Sequence, residues 1–264
     1  MLTEVRQKAI ADYVLRNDVV TTTQLSQEFN VSEMTIRRDL KKLEEQGLIR
    51  RTHGGALSAG HSHDIDLRTR ATTNHLLKKA IAKKAAEFMG PHETILIDVG
   101  STMEALAREL PTSLGLTIVT NGIMIVNALL DAVGVEVYLL GGSLQHVPQF
   151  LMGPSVFEKL QNMQADKAFI ASSAFSFEGV VTDSNVHQAE IKRRMMKAAA
   201  QTYLVLDSSK IGHSSLNFVA RAEDFDVIII DDGVDMSALK ISDGIRNKFV
   251  VASTHDITSI PDSM

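Results

Sequence analysis

Arg37, Arg38, Lys41 and Lys42 lie within a stretch of six residues, and two more cations, Arg50 and Arg51, follow shortly after. Guanidinium forks match guanine edges and phosphate oxygens, and ammonium groups match phosphate oxygens, so the chemistry on offer is contact with nucleic acid. Stepped at ~100° per residue, Ile36, Leu40 and Leu43 fall in one narrow arc. Met34, Arg38, Lys41 and Glu45 point the opposite way, flanked by Thr35 and Lys42. Such a helix docks by its apolar stripe and turns its cations outward, where a major groove has room for one helix. An ordinary solvated helix face has the same pattern, so the preceding residues must decide.

Ala9, Ile10, Tyr13 and Val14 are spaced as the buried face of a first helix over 6–16. Thr21, Thr22 and Thr23 offer N-caps for a short helix over 24–29. Asn30-Val31-Ser32 then reads as a tight turn, with Ser32 capping the basic helix. Helix, short helix, turn and basic helix is the helix-turn-helix layout. Thr52-His53-Gly54-Gly55 punctuates the basic segment that follows, as the tip of a β-wing does. The expected DNA contacts begin with Thr22 and Thr23, and continue with Ser32, Glu33, Met34 and Thr35 at the start of the reading helix. Arg37, Arg38, Lys41 and Lys42 follow on its outer face, and Arg50, Arg51 and His53 in the wing.

Residues 1–57 resemble the DNA-binding domain of the DeoR family of bacterial transcriptional regulators. The resemblance rests on Arg6, Ile10 and Val14, on Ser32 and Thr35-Ile36-Arg37-Arg38-Asp39-Leu40, and on the run from Leu43-Glu44-Glu45 to His53-Gly54-Gly55-Ala56. It implies double-stranded operator DNA as partner.

At 264 residues with 44% hydrophobic content, the chain can bury a substantial core. Its net charge of −5 argues against nucleic acid until the chain is divided, because residues 1–57 carry nine Lys/Arg against eight Asp/Glu and the excess acid lies beyond them. A module of net +1 must bind through placement of its cations and through pairing of modules, so a homo-oligomer, dimer or tetramer, is expected. No run reaches the ~18 apolar residues of a membrane span, no signal pattern opens the chain, and cysteine is absent. No membrane association and a cytoplasmic location are therefore expected. Residues 58–76 read as a linker that begins in the small, polar stretch from Leu57 to His63. His61 and His63 have a metal-capable spacing but no further ligand nearby, and a solvated linker is the simpler reading.

Over 77–264, apolar runs at 94–97, 116–119, 135–140, 167–170, 202–206, 227–230 and 248–251 read as strands buried on both faces. Helical stretches at 76–89, 103–110, 123–132, 155–163, 188–200 and 236–246 lie among them. The expected fold is α/β, an N-terminal winged helix-turn-helix joined to a larger open, mostly parallel α/β sheet. Four strands end in Asp98-Val99-Gly100-Ser101-Thr102, Thr120-Asn121-Gly122, Gly141-Gly142-Ser143 and Asp207-Ser208-Ser209-Lys210. Glycines admit close backbone approach, hydroxyls donate, helix N-termini favour anions and Lys210 adds charge, which together suit a phosphorylated, hydroxyl-rich ligand. Neither Gly-x-Gly-x-x-Gly nor a P-loop follows any strand, so no nucleotide cofactor is expected.

This half also resembles the DeoR family, in its effector-sensing domain, over about 78–232 through those loops and His187-Gln188-Ala189-Glu190. The resemblance implies a fold similar to sugar-phosphate isomerases and a phosphorylated sugar as effector. It places Gly100, Ser101, Thr102, Thr120, Asn121, Gly141, Gly142 and Lys210 around the ligand, and Asp98, at the head of the first loop, is expected to bind it as well. The segment 145–151 is expected to set selectivity. His187 and Glu190, three apart on one helical face, either contact the sugar or cap and solvate a helix, and no metal is expected there. The expected function is a repressor of a carbohydrate-utilisation operon. Its rival is an isomerase-type enzyme with a fused DNA-binding head, for which Asp231 and Asp232 after a strand could supply a base.

Overall fold

A computed structural model describes residues 3–17, 19–46, 48–52, 54–58, 74–146 and 149–254. The chain divides into two compact units, Met1–Ile65 and Asp66–Met264.

The first unit runs α1 (Thr3–Asn17), β1 (Val19–Thr21), α2 (Thr22–Glu28), α3 (Glu33–Glu45), β2 (Ile49–Thr52) and β3 (Gly55–Ser58). Ile10, Val14, Leu25, Ile36, Leu40 and Leu43 are buried together, as the helical spacing predicts, and Ile49 of β2 joins them. Strand β3 lies between β1 and β2 and is antiparallel to both, so the wing is a hairpin with a third strand added. Two expectations change. Helix α2 begins at Thr22 because Thr21 is the cap: its hydroxyl accepts from the Gln24 N–H at 3.2 Å while Gln24 Oε1 accepts from the Thr21 N–H at 2.8 Å. Leu57 and Ser58 do not open a linker but finish β3, with Leu57 opposite both Val19 and Arg50. His61, His63 and the rest of the expected linker up to residue 73 lie outside the described residues.

The second unit is built on a seven-stranded parallel sheet. Its elements are α4 (His75–Ala86), β4 (Thr94–Ile97), α5 (Ser101–Arg108), β5 (Thr117–Thr120), α6 (Ile123–Leu129), β6 (Glu136–Leu139), β7 (Ser143–Gln145), β8 (Phe150–Met152), α7 (Pro154–Gln161) and β9 (Ala165–Ala171). There follow β10 (Ala174–Phe175), β11 (Val180–Asp183), α8 (Val186–Lys197), β12 (Ala199–Val205), β13 (Asn217–Arg221), β14 (Val227–Asp231), α9 (Asp243–Arg246) and β15 (Phe249–Ala252). The order across the sheet is β15-β14-β12-β9-β4-β5-β6. Side chains alternate across it: Ile95, Ile97, Phe169 and Val205 pack with α4, α5 and α6. Leu96, Ile170, Leu204 and Ile230 pack on the other face with α7, α8 and the small antiparallel sheet β10-β11-β13. Burial on both faces explains why these strands read as continuous apolar runs.

Three expectations fail here. Strand β6 is largely exposed and, among the described residues, is an edge strand that pairs with β5 alone. The helix expected over 236–246 is a 3-10 turn at Met236–Ala238 and the single turn α9, with Arg246 donating to the carbonyls of Met236 and Leu239. The β7–β8 hairpin and the small sheet were not expected at all, since strands of two to five residues leave too short a periodicity to read.

Sheet order reverses between β4 and β9. From β4 the chain moves outward through β5 to β6, then returns to add β9, β12, β14 and β15 on the other side. The loops after β4 and β9 diverge there, which is where open α/β sheets hold ligands.

Candidate functional site

The geometry of α3 is set at both ends and along one side. Asn30 takes a left-handed backbone (φ 48°) that turns the chain out of α2. Ser32 caps α3, its Oγ accepting from the Thr35 N–H at 3.3 Å and lying 3.0 Å from Thr35 Oγ1. Asp39 is only 1% exposed. Its Oδ2 accepts from Arg6 Nε at 2.7 Å and its Oδ1 from Gln7 Nε2 at 2.8 Å, both from α1. The Arg6 hydrogen bond to Asp39 holds the guanidinium above its ordinary pKa. Sequence reasoning gave this network no role. The signal was partial: at ~100° per residue Asp39 lies just beyond the Leu43 edge of the Ile36/Leu40/Leu43 arc, and a carboxylate bordering a buried stripe needs a partner.

With the inner face so fixed, Met34, Arg37, Arg38, Lys41 and Lys42 are exposed. Arg37 leans 3.6 Å from Glu33 and Lys41 4.0 Å from Glu45. Arg38 and Lys42 have no ion-pair partner among the described residues. Glu33 also accepts from Thr23 Oγ1 at 2.8 Å, which joins α2 to α3. Thr22 faces inward, its N–H and hydroxyl donating to the Gly54 carbonyl at 2.9 and 3.2 Å, so it ties α2 to the wing. In the wing the Arg51 N–H donates to Glu44 at 3.0 Å and its guanidinium lies 3.8 Å from the same carboxylate. The Arg50 side chain and His53 lie outside the described residues.

In the second unit, Asp98 is buried behind the loop that it heads. Its Oδ2 accepts from the Ala171 N–H at 3.0 Å, across the point where sheet order reverses, and from the ammonium of Lys192 on α8. Lys192 also lies 3.5 Å from Asp183 at the end of β11. Burial pushes the Asp98 carboxyl up, against the pull of Lys192. Burial also opposes the Lys192 charge, but the two carboxylates outweigh it and hold the ammonium above its ordinary value. Asp98 is thus a buried anchor and not a ligand-facing group. Sequence reasoning did not identify Lys192, although it sits among Gln188, Ala189 and Met195 on the buried face of its helix.

Gly100 has φ +124°, a conformation that favours glycine, and an added Cβ there would meet nothing within 4 Å. It precedes α5, which has no side-chain cap; the first intrahelical bond is Glu104 N–H to Gly100 O at 2.9 Å. Ser101 is half-buried and Thr102 buried. Thr120 is buried with its Oγ1 accepting from the Gly122 N–H at 3.0 Å. Asn121, 1% exposed, donates from Nδ2 to the Leu151 carbonyl at 3.0 Å. Its Oδ1 is, among the described residues, the buried side-chain atom left without a hydrogen-bond partner.

Gly141 and Gly142 lie past the end of β6, beyond β5. A Cβ on Gly142 (φ +105°) would strike the Met152 carbonyl at 2.5 Å, so the β7–β8 hairpin itself requires glycine there. Lys210, half-buried after β12, has no ion-pair partner among the described residues. His187 is exposed in the first turn of α8. Glu190 is held by Arg193 at 2.8 Å and Arg194 at 2.7 Å. Those hydrogen bonds, from Arg193 first, keep its carboxyl below the ordinary range despite partial burial. Glu190 also lines a groove of about 440 Å³ with Leu160, Met163, Arg193, Arg194 and Lys197. That groove lies where α7 and α8 end, toward the amino ends of β9 and β12, so it is distinct from the strand-end loops. No group of three or more metal-ligating side chains occurs among the described residues. No helix among them is long and apolar enough to cross a membrane.

Comparison with known proteins agrees with this geometry. Residues 6–61 match the model of the DeoR-like helix-turn-helix domain, and residues 73–232 that of the DeoR C-terminal sensor domain. The chain is 36% identical to the HTH-type transcriptional repressor GlcR of Bacillus subtilis, over 88% of this chain and 89% of that one. It is 32% identical to the transcriptional repressor AccR of Agrobacterium fabrum, over 95% and 98%. Among solved structures it is similar to ribose 5-phosphate isomerase A from Methanocaldococcus jannaschii, at 16% identity and a TM-score of 0.40 over 53% of this chain and 55% of that one, too distant to bear on chemistry. Both domain models match, and the relatives are similar from end to end: the chain belongs to the DeoR family of DNA-binding transcriptional regulators.

Proposed function

We propose that this regulator represses a carbohydrate-utilisation operon and that a phosphorylated sugar or related metabolite, bound at the strand ends, modulates its hold on DNA. The observation that carries the reading is Gly100. It opens free space before the uncapped N-terminus of α5, beside the point where sheet order reverses. The N–H groups of Ser101, Thr102 and Met103 precede the first intrahelical bond and suit an anion. Lys210 is two strands away, about 10 Å at the usual strand spacing, which a lysine side chain and a small sugar phosphate together span. Gly141 and Gly142 are four strands from Lys210, about 19 Å, so one small ligand does not bridge both. The ligand therefore sits over β4 and β9, and the double glycine serves the hairpin.

The weakly charged DNA-binding unit supports a homo-oligomer, dimer or tetramer, that places two reading helices on one operator. Against the isomerase alternative, both Asp231 oxygens accept backbone N–H groups, from Ser208 at 2.6 Å and Gly233 at 3.0 Å. Asp232 accepts from Thr254. These carboxylates hold loops.

The test is a titration of full-length protein, bound to duplex DNA from its own promoter region, with a panel of sugar phosphates and the matching unphosphorylated sugars. The expected result is a change in DNA affinity with one phosphorylated compound and none with its unphosphorylated form. Turnover of a sugar phosphate, with DNA binding unaffected, would establish the enzyme instead.

A further inference from the structure

We propose that Met34 reads the C5-methyl group of a thymine in the operator, within two base pairs of the base or phosphate that Arg38 contacts. The proposal rests on α3 being the helix that enters the major groove. Met34 is 77% exposed and adds nothing to the core, which Ile36, Leu40 and Leu43 fill from the opposite face. Scattered exposed apolar side chains are normal on proteins, so exposure alone carries no weight. Position does. Met34 is in the first turn of α3, and the N-terminal residues of a reading helix are those that reach base edges.

The neighbours in that turn are already committed. Glu33 is held by Thr23 and Arg37, and the Ser32 and Thr35 hydroxyls by each other. Met34 alone among them has no partner to satisfy and presents a thioether chain with no donor. In the major groove, the one apolar feature that a base pair offers is the thymine methyl.

The helix face that carries Met34 is fixed as well. Asp39, clamped by Arg6 and Gln7, prevents α3 from rolling about its axis, so Met34 and Arg38 stay on the outer face together. As an i, i+4 pair their Cβ atoms are about 6 Å apart, which is one to two base-pair steps at a rise of ~3.4 Å.

The experiment uses the full chain. A duplex is selected from a random pool by the wild-type protein, and each thymine in it is then replaced singly by deoxyuridine, which removes only the methyl. One thymine per half-site should respond, with binding about four-fold weaker, the worth of one methyl group taken from water. Met34→Ala should bind the thymine and uracil duplexes equally, and Met34→Leu should retain the difference. Met34 is exposed, so both variants should fold. A wild-type protein indifferent to every replacement overturns the proposal, as does a Met34→Ala protein that keeps the full difference. In either case sequence-selective binding that Arg38→Ala weakens would leave the placement of α3 intact. Selection that yields no preferred sequence would remove that placement and this proposal with it.

Discussion

Lys192 and Asp98 meet in an ion pair sealed from solvent, their side chains 2% and 1% exposed. The pair joins α8 to the head of the loop that carries Gly100, and through the Ala171 N–H it also closes the gap between β4 and β9. With Asp183 nearby, one ammonium faces two carboxylates, each of which also accepts a backbone N–H, Asp98 from Ala171 and Asp183 from Asn185.

Lys192→Met should therefore destabilise the protein by about 3–5 kcal/mol at neutral pH, because it strands a buried carboxylate. Lys192 has a raised folded-state pKa, so its contribution is complete below the ordinary lysine range and is lost as pH rises through the folded value. Asp98 is raised too, and the folded chain takes up that proton at a higher pH than the unfolded chain does. The Lys192→Met deficit should thus narrow on acidification, as Asp98 becomes neutral. Denaturant unfolding of both proteins from pH 5 to 9 checks this; a deficit that grows toward acid would show that Asp98 is not the stranded charge.

Arg6 and Asp39 form the corresponding anchor in the DNA-binding unit. Arg6→Met should cost about 3–5 kcal/mol of that unit's stability, by the same stranding of a buried carboxylate. Discrimination between selected and scrambled DNA should fall more than total DNA affinity, because phosphate contacts survive a small roll of α3 and base contacts do not. Binding of the two duplexes at a temperature where the variant is folded is the measurement. Equal loss on both would reduce the pair to a purely structural role.

Arg38 is exposed, on the outer face, and without an ion-pair partner among the described residues. Arg38→Ala should lose about 1–3 kcal/mol of operator affinity if it reads a base, with thermal stability almost unchanged. A loss that appears equally on non-specific DNA, with a shallower salt dependence, would assign it to a phosphate instead.

The two units differ in how far sequence alone reveals them. In the first, Ile36, Leu40 and Leu43 are apolar at helical spacing and Ser32 and Asn30 have local turn chemistry, so backbone and exposed face both follow from neighbours in sequence. Asp39 does not, because its partners are more than thirty residues away on α1. In the second unit the long strands are readable from apolar runs, but their lateral order is not, and that order separates Gly142 from Lys210. The roles of Asp98 and Gly142 were hidden for the same reason: Lys192 and the Met152 carbonyl reach them only through the folded topology. Edge exposure of β6 is equally a property of the sheet, since Val137, Tyr138 and Leu139 read as a buried run.

Ser101 and Lys210 provide the sharpest test of the effector crevice. Thr102 is buried, so a carboxylate placed there threatens the fold; Ser101 is half-buried at the first position of α5 and can accept one. Ser101→Glu sets a negative charge at the helix N-terminus, where the helix dipole welcomes it, so stability should hold or rise by about 0.3–1 kcal/mol. The same carboxylate should exclude a phosphate. Lys210→Ala removes charge from the opposite side and should weaken effector binding without altering the fold, since the ammonium has no ion-pair partner to strand among the described residues. Both proteins should bind operator as the unliganded wild type does and fail to respond to the sugar phosphate that moves the wild type. Calorimetric titration with that sugar phosphate decides the matter. Unchanged affinity in Ser101→Glu would place the phosphate away from α5, and unchanged affinity in Lys210→Ala alone would keep the helix site and remove Lys210 from it.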